Sequence, residues 1–296
     1  MQAIDLHRTI NKSGNFLTLI GIADTHFLCD SEDEQAYQPL DKSALNYLRH
    51  CVKEIQGNKA YYGEPLFYTG GDLTELHRSS VRKVLRQLHK NDSKGEDTIH
   101  KHIIHHAILP KLKAIIGKDK LLGGVAGNHL IQFCGGEHEN SEQYIIQRLG
   151  GQYCGEGKML INLHLSLGPQ KCLKKIIVTH GSKAGTKTSI IRELQDMYYQ
   201  YGKIDLLIKC HAHDPMTHFH CKYNLPDSVG GKIHKEETLV MCLGSTRGGE
   251  KMGYDDYTER GNYQPHAARF PMAVFHAYKP MESNSTLSIK IRPIIM

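Results

Sequence analysis

Paired cysteines, flexible linkers and long apolar runs are what this 296-residue chain lacks. No C-x-x-C occurs among its eight cysteines, at 29, 51, 134, 154, 172, 210, 221 and 242, which argues against a zinc ribbon or a thioredoxin-like redox centre. Several of them, Cys210 and Cys242 among them, lie inside apolar runs, the usual setting of a reduced, buried thiol. No stretch approaches the ~18 apolar residues that a membrane span needs, so no membrane partner is expected. "MQAIDLHRTINKSGN" has no basic region followed by an apolar block, as a signal peptide would. The expected location is cytoplasmic. No segment rich in Gly, Ser or Pro divides the chain and no repeat recurs, so 1–296 reads as one domain with a loop-rich part at about 214–271.

What is present suits a packed α/β protein: 40% of residues are hydrophobic and 23% charged, enough to build a sizeable core under a polar surface. Five apolar, β-rich runs recur at long intervals: 15–24, 64–72, 120–129, 174–181 and 205–213. Their near-continuous hydrophobicity is that of parallel strands buried on both faces. Helical periodicity lies between them, with Leu45, Leu48, Val52 and Ile55 on one face and Val81, Val84, Leu85 and Leu88 on another. Further helices are predicted at 98–116, 141–149 and 188–200. Runs at 159–167, 237–245, 272–280 and 287–293 read as a second sheet, the first and last alternating in part as half-exposed antiparallel strands do.

The polar residues at the ends of the five strands carry the chemistry. "KCHAHD" closes the fifth run, and residues i and i+2 of a strand project from the same face, so His211 and His213 point one way. With 20 histidines in the chain, such a pair alone decides nothing. The first run, however, ends in "ADTH" (Asp24, His26), the second in "GGD" (Asp72), the third in "GNH" (Asn128, His129) and the fourth in "THG" (His180). Ligands bind beyond the carboxyl ends of parallel strands, and this set of carboxylate, amide and imidazole donors suits divalent metals, two rather than one.

"DTH", "GD", "GNH", "HG" and "HAH", in this order from residue 22 to 213, resemble the motif series of the calcineurin-like metallophosphoesterases. The family motifs are D-x-H, G-D-x-x-D/E, G-N-H-D/E, H and G-H-x-H. The resemblance implies a four-layer α/β/β/α sandwich of two mixed sheets flanked by helices. It also implies one metal on Asp24, His26, Asp72 and His213, and a second on Asp72, Asn128, His180 and His211. His129 would then be the general acid for the leaving group, oriented by Glu75, and a hydroxide bridging the metals would attack phosphorus. Manganese is the first choice for the two divalent ions, with iron or zinc as alternatives.

Two positions depart from the family pattern. Leu130 replaces the acid after "GNH", and Cys210 replaces the glycine before "HAH". Other signals are weaker. "HGSKAGTKTS" fails as a P-loop, because Thr186 stands where the second glycine belongs. "HKHIIHH" reads as a partly exposed helix face. Arg78, Arg82, Arg86 and Lys90 make a basic stripe at helical spacing, either a phosphate-tracking surface or a solvated face. Arg247 is a candidate phosphate contact in the stretch 244–265, which also resembles uncharacterised phosphoesterases of phages and bacteria.

The function that follows is hydrolysis of a phosphate ester by a two-metal site. A phosphodiesterase or nuclease is the first reading, since the "GDxVDRG" and "GNHE" forms of the protein Ser/Thr phosphatases are absent and the formal charge is +6. The substrate is expected to be a phosphate ester, with nucleic acid the first candidate. A phosphomonoesterase, a cyclic-nucleotide phosphodiesterase and a metal-loaded binding module without turnover are the alternatives.

Overall fold

The structure is a computed structural model that describes residues 2–10, 14–25, 48–74, 98, 100–102, 104–133, 139–181, 187–211, 216–224, 234–243, 271–278 and 287–295. In chain order its elements are β1 (Gln2–Thr9), β2 (Gly14–Ile22), helix α1 (48–57), β3 (Glu64–Thr69) and α2 (Leu109–Ile116). There follow β4 (Leu121–Ala126), α3 (Ser141–Arg148), β5 (Gln152–Glu156), β6 (Lys158–Leu167), β7 (Gln170–Thr179) and α4 (Lys187–Tyr201). The chain closes with β8 (Leu206–Lys209), β9 (Met216–Asn224), β10 (His234–Cys242), β11 (Pro271–Tyr278) and β12 (Ser288–Ile295).

The strands form two six-stranded mixed sheets, in the orders β1-β6-β7-β8-β10-β9 and β12-β11-β2-β3-β4-β5. This corrects the expectation that the five motif strands share one sheet. β2, β3 and β4 run parallel in the second sheet, while β7 and β8 run parallel in the first. Two sets of continuous apolar runs look alike in sequence, whichever sheet they enter. β1, β5 and β9, which the sequence reading did not identify, are edge strands with few apolar residues. β9 falls within the stretch read as loop-rich, whereas β10 overlaps the run read there as a strand at 237–245.

Side-chain alternation places the layers. Leu17 and Leu19 of β2, Leu66 and Tyr68 of β3, and Phe275 of β11 meet Ile161 of β6, Ile176 and Val178 of β7, and Ile208 of β8 between the sheets. The opposite faces of β2 and β3 carry Ile20, Ile22 and Phe67 into a second cluster with Leu48, Val52 and Ile55 of α1, Leu112 and Ile116 of α2, and Ile145 of α3. Ile177, Leu207 and Val240 turn outward to Ile190 and Met197 of α4. The result is the expected α/β/β/α sandwich.

Helix boundaries follow local chemistry. Pro110 opens α2, where a missing amide costs nothing, after a π-helical turn at Ile104–Ile108 that leaves His105 and His106 exposed. Asn140 caps α3 by accepting the Gln143 N–H at 2.8 Å. Among the described residues no helix is long and apolar enough to cross a membrane.

Candidate metal centre

The carboxyl ends of β2, β3, β4, β7 and β8 meet at one edge although they belong to two sheets, and there the chain makes a set of strained turns. Asp24, Asp72 and His211 take positive φ values of 51°, 52° and 62°. A left-handed backbone costs an L-residue roughly 1 kcal/mol or more. Three of the four described non-glycine residues with positive φ therefore sit at this edge. Strain so concentrated is held in place by the surrounding bonds.

Those bonds cross from turn to turn. The Asp24 N–H donates to the Gly71 carbonyl at 3.0 Å, and the Gly70 N–H to Ile22 at 2.9 Å. The hydroxyl of Thr25 donates to the Leu73 carbonyl at 2.9 Å. Asp72 Oδ1 accepts the His129 N–H at 2.9 Å, and Asp24 Oδ2 accepts the His211 N–H at 3.0 Å. Glycine is needed here for space: a Cβ on Gly127 would overlap the Asp72 carboxyl, and one on Gly70 would overlap the Cys210 sulfur.

One ligand atom each from Asp24, Asp72, His180 and His211 lies within 4.8 Å of all the others. His180 is turned by its Nδ1–H, which donates to the Gly70 carbonyl at 2.8 Å. Its Nε2 then faces Asn128 Oδ1 at 2.9 Å and Asp72 Oδ2 at 3.1 Å. Three acceptor atoms thus converge, an arrangement that a proton or a cation between them satisfies. Without a metal, the proton takes that place. Burial opposes a charged His180, but the hydrogen bond to Asp72 and the carboxylates of Asp24 and Asp72 outweigh it and push its pKa up to about 9.

The donor set fits a metal. Asp24 and Asp72 are wholly buried and His180 nearly so, and buried carboxyls require compensating charge. Hard oxygens beside imidazoles suit Mn, Fe or Zn alike. The fixed Nδ1–H bond of His180 is the outer-shell partner that ligating histidines almost always have.

Of the residues singled out in the sequence, Asp24, Asp72, Asn128, His180 and His211 are brought together. His129 stands beside them, its Nε2 4.0 Å from Asp72 Oδ2, with 21% of its side chain exposed. His26, Glu75, Arg78, His213 and Arg247 lie outside the described residues, as does the stripe from Arg78 to Lys90. Cys210 does not border the open side of the site. It is fully buried between the sheets beneath Gly70, and burial holds its thiol well above the ordinary range.

The sequence reading missed Glu142. This carboxyl is wholly buried, and its Oε1 accepts the Leu73 N–H at 2.8 Å, one residue beyond Asp72. Burial, then the nearby Asp72 charge, pushes its pKa up to about 8. An acid in the first turn of a helix is so ordinary that its sequence position gave no signal.

With this geometry established, the chain can be set beside known proteins. No family model matches it, and no curated protein does. Among solved structures, that of Chaetomium thermophilum Vps29 is similar over 95% of this chain and 96% of its own length, at 11% identity and a TM-score of 0.32. The same protein complexed with the RaPID-derived cyclic peptide RT-D3 is similar over 64% of this chain and 88% of its own, at 12% identity and a TM-score of 0.26. Likenesses this loose assign no activity.

Proposed function

We propose that this chain is a metal-dependent phosphoesterase whose centre is the edge where Asp24, Asp72, His180 and His211 converge. The convergence of those four ligand atoms within 4.8 Å, three of them from buried residues, carries the reading. Asp24 and Asp72, with His26 and His213 from the sequence motifs, would hold one divalent ion. Asp72, Asn128, His180 and His211 would hold a second. Such ions supply Lewis acidity toward phosphoryl oxygens and a nucleophile from water at neutral pH.

The protein's own groups do the rest. Asp72 sets the spacing, since one oxygen is fixed on the His129 amide and the other faces His180. His129 lies outside the ligand cluster and is partly open to solvent, which suits a group that hands a proton to a leaving alkoxide. The formal charge of +6 and the motif forms favour a phosphodiester, with nucleic acid first among them.

The test is hydrolysis of bis(p-nitrophenyl) phosphate by Mn-loaded protein, beside p-nitrophenyl phosphate and a chelator-treated control. Metal-dependent turnover of the diester supports the proposal in full. Turnover of the monoester alone moves the substrate to phosphomonoesters. With metal bound and neither ester cleaved, the enzymatic reading fails and Leu130 marks a binding module.

A further inference from the structure

We infer that Glu142 is a positioning residue for the metal centre: it clamps the peptide after Asp72 and so holds that carboxylate in its ligand-presenting turn. The inference rests on reading Asp24, Asp72, His180 and His211 as metal ligands.

Leu73 is held on both sides: the N–H of the peptide that joins it to Asp72 donates to Glu142 at 2.8 Å, and its carbonyl, in the following peptide, accepts the Thr25 hydroxyl at 2.9 Å. The Thr74 amide also acts on the Glu142 carboxyl. Asp72, immediately before this peptide, holds a φ of 52° that an aspartate does not favour unaided. The clamp therefore fixes the ψ side of a strained ligand residue. Glu142 is itself delivered by a rigid base. Ser141 donates its N–H to the Ile131 carbonyl at 2.9 Å and accepts the Ile131 N–H on its hydroxyl at 3.1 Å, while Phe133 N–H reaches Glu139. The segment leaving Asn128 and His129 is thereby stitched to the start of α3, and one carboxyl joins it to the Asp72 turn. Glu142 is a buried acid aimed at the backbone of a candidate ligand turn.

A structural role alone predicts lost stability. A positioning role predicts lost metal affinity in a protein that still folds, and rescue by an isostere that keeps the acceptor oxygen. The full chain, stripped of metal, is titrated with Mn2+ by calorimetry as parent, Glu142→Gln, Glu142→Asp and Glu142→Ala. Far-ultraviolet circular dichroism confirms folding, and the Co2+-loaded forms give ligand-field spectra. Glu142→Gln should bind Mn2+ within about threefold of the parent, with the parent's Co2+ spectrum. Glu142→Ala should bind at least tenfold more weakly with an altered spectrum, and Glu142→Asp, one methylene short, should fall between. If Glu142→Ala does not fold, the contrast between Glu142→Asp and Glu142→Gln decides. Folded variants that all bind Mn2+ as the parent does overturn the positioning role alone. A parent that takes up no Mn2+ overturns the metal reading and this role with it.

Discussion

The Nε2 of His180 stands 3.1 Å from Oδ2 of Asp72, with its opposite nitrogen committed to the Gly70 carbonyl. The pair can be satisfied by a proton or by a metal, so the two compete for one place. In the metal-free protein, His180 has its pKa raised from 6.5 to about 9. The stabilisation it gives is fully present below pH 6.5 and is lost as pH rises through 9, and it amounts to up to about 3 kcal/mol. Glu142, raised from 4.5 to about 8, acts in the same direction between those values. Urea unfolding in the presence of chelator should therefore show falling stability from pH 6 to pH 9. Mn2+ affinity over that range should rise. A flat stability profile would show that the proton does not occupy the site.

His129 is expected to separate chemistry from metal binding. Its imidazole lies beside the ligand cluster, and the contact it makes with Asp72 Oδ1 is through the backbone N–H. His129→Ala should keep the parent's metal stoichiometry by atomic absorption. Its turnover of bis(p-nitrophenyl) phosphate should drop by roughly 10²–10⁴-fold. Equal rates would remove His129 from the mechanism.

Gly127 tests how tightly the turn is packed. An alanine there meets the Asp72 carboxyl, which must move, and the same turn provides the His129 amide. Overpacking of this kind costs about 1–3 kcal/mol. Gly127→Ala should lower the melting temperature and weaken Mn2+ binding together, as read by thermal unfolding and calorimetry. Retention of both would place the carboxylate elsewhere.

Thr25 has a narrower effect. Its hydroxyl serves the Leu73 carbonyl in a buried setting, so Thr25→Val leaves that acceptor without the bond at near-constant shape. A loss of about 1–3 kcal/mol in chemical denaturation is expected. Mn2+ affinity should fall severalfold with it, because the backbone of Leu73 then loses one of the two bonds that flank it.

Much of the site was legible in the sequence because each described candidate ligand ends an apolar run. Asp24, Asp72, Asn128, His180 and His211 stand out against the strands that precede them. The resemblance to the metallophosphoesterase motifs adds order and spacing to that contrast. The division of those strands between two sheets was not legible, because strands buried on both faces look alike wherever they pair. β1 and β9 escaped because edge strands interleave polar and apolar residues, as "QAIDLHRT" and "MTHFHCKYN" do. Glu142 escaped for another reason. Its partner lies 69 residues away, and only tertiary packing brings them together.

The bond from the His211 amide to Asp24 spans 187 residues of sequence. Closing so long a loop comes late in folding, since its entropy must be offset by contacts made earlier. A chain emerging from the ribosome presents Asp24 long before His211 exists, and until the two sheets dock it holds fragments of the candidate ligand set. On the proposed metal reading, capture of the ion is a signal of completion: in a refolding experiment, uptake of Mn2+ should track the slowest phase.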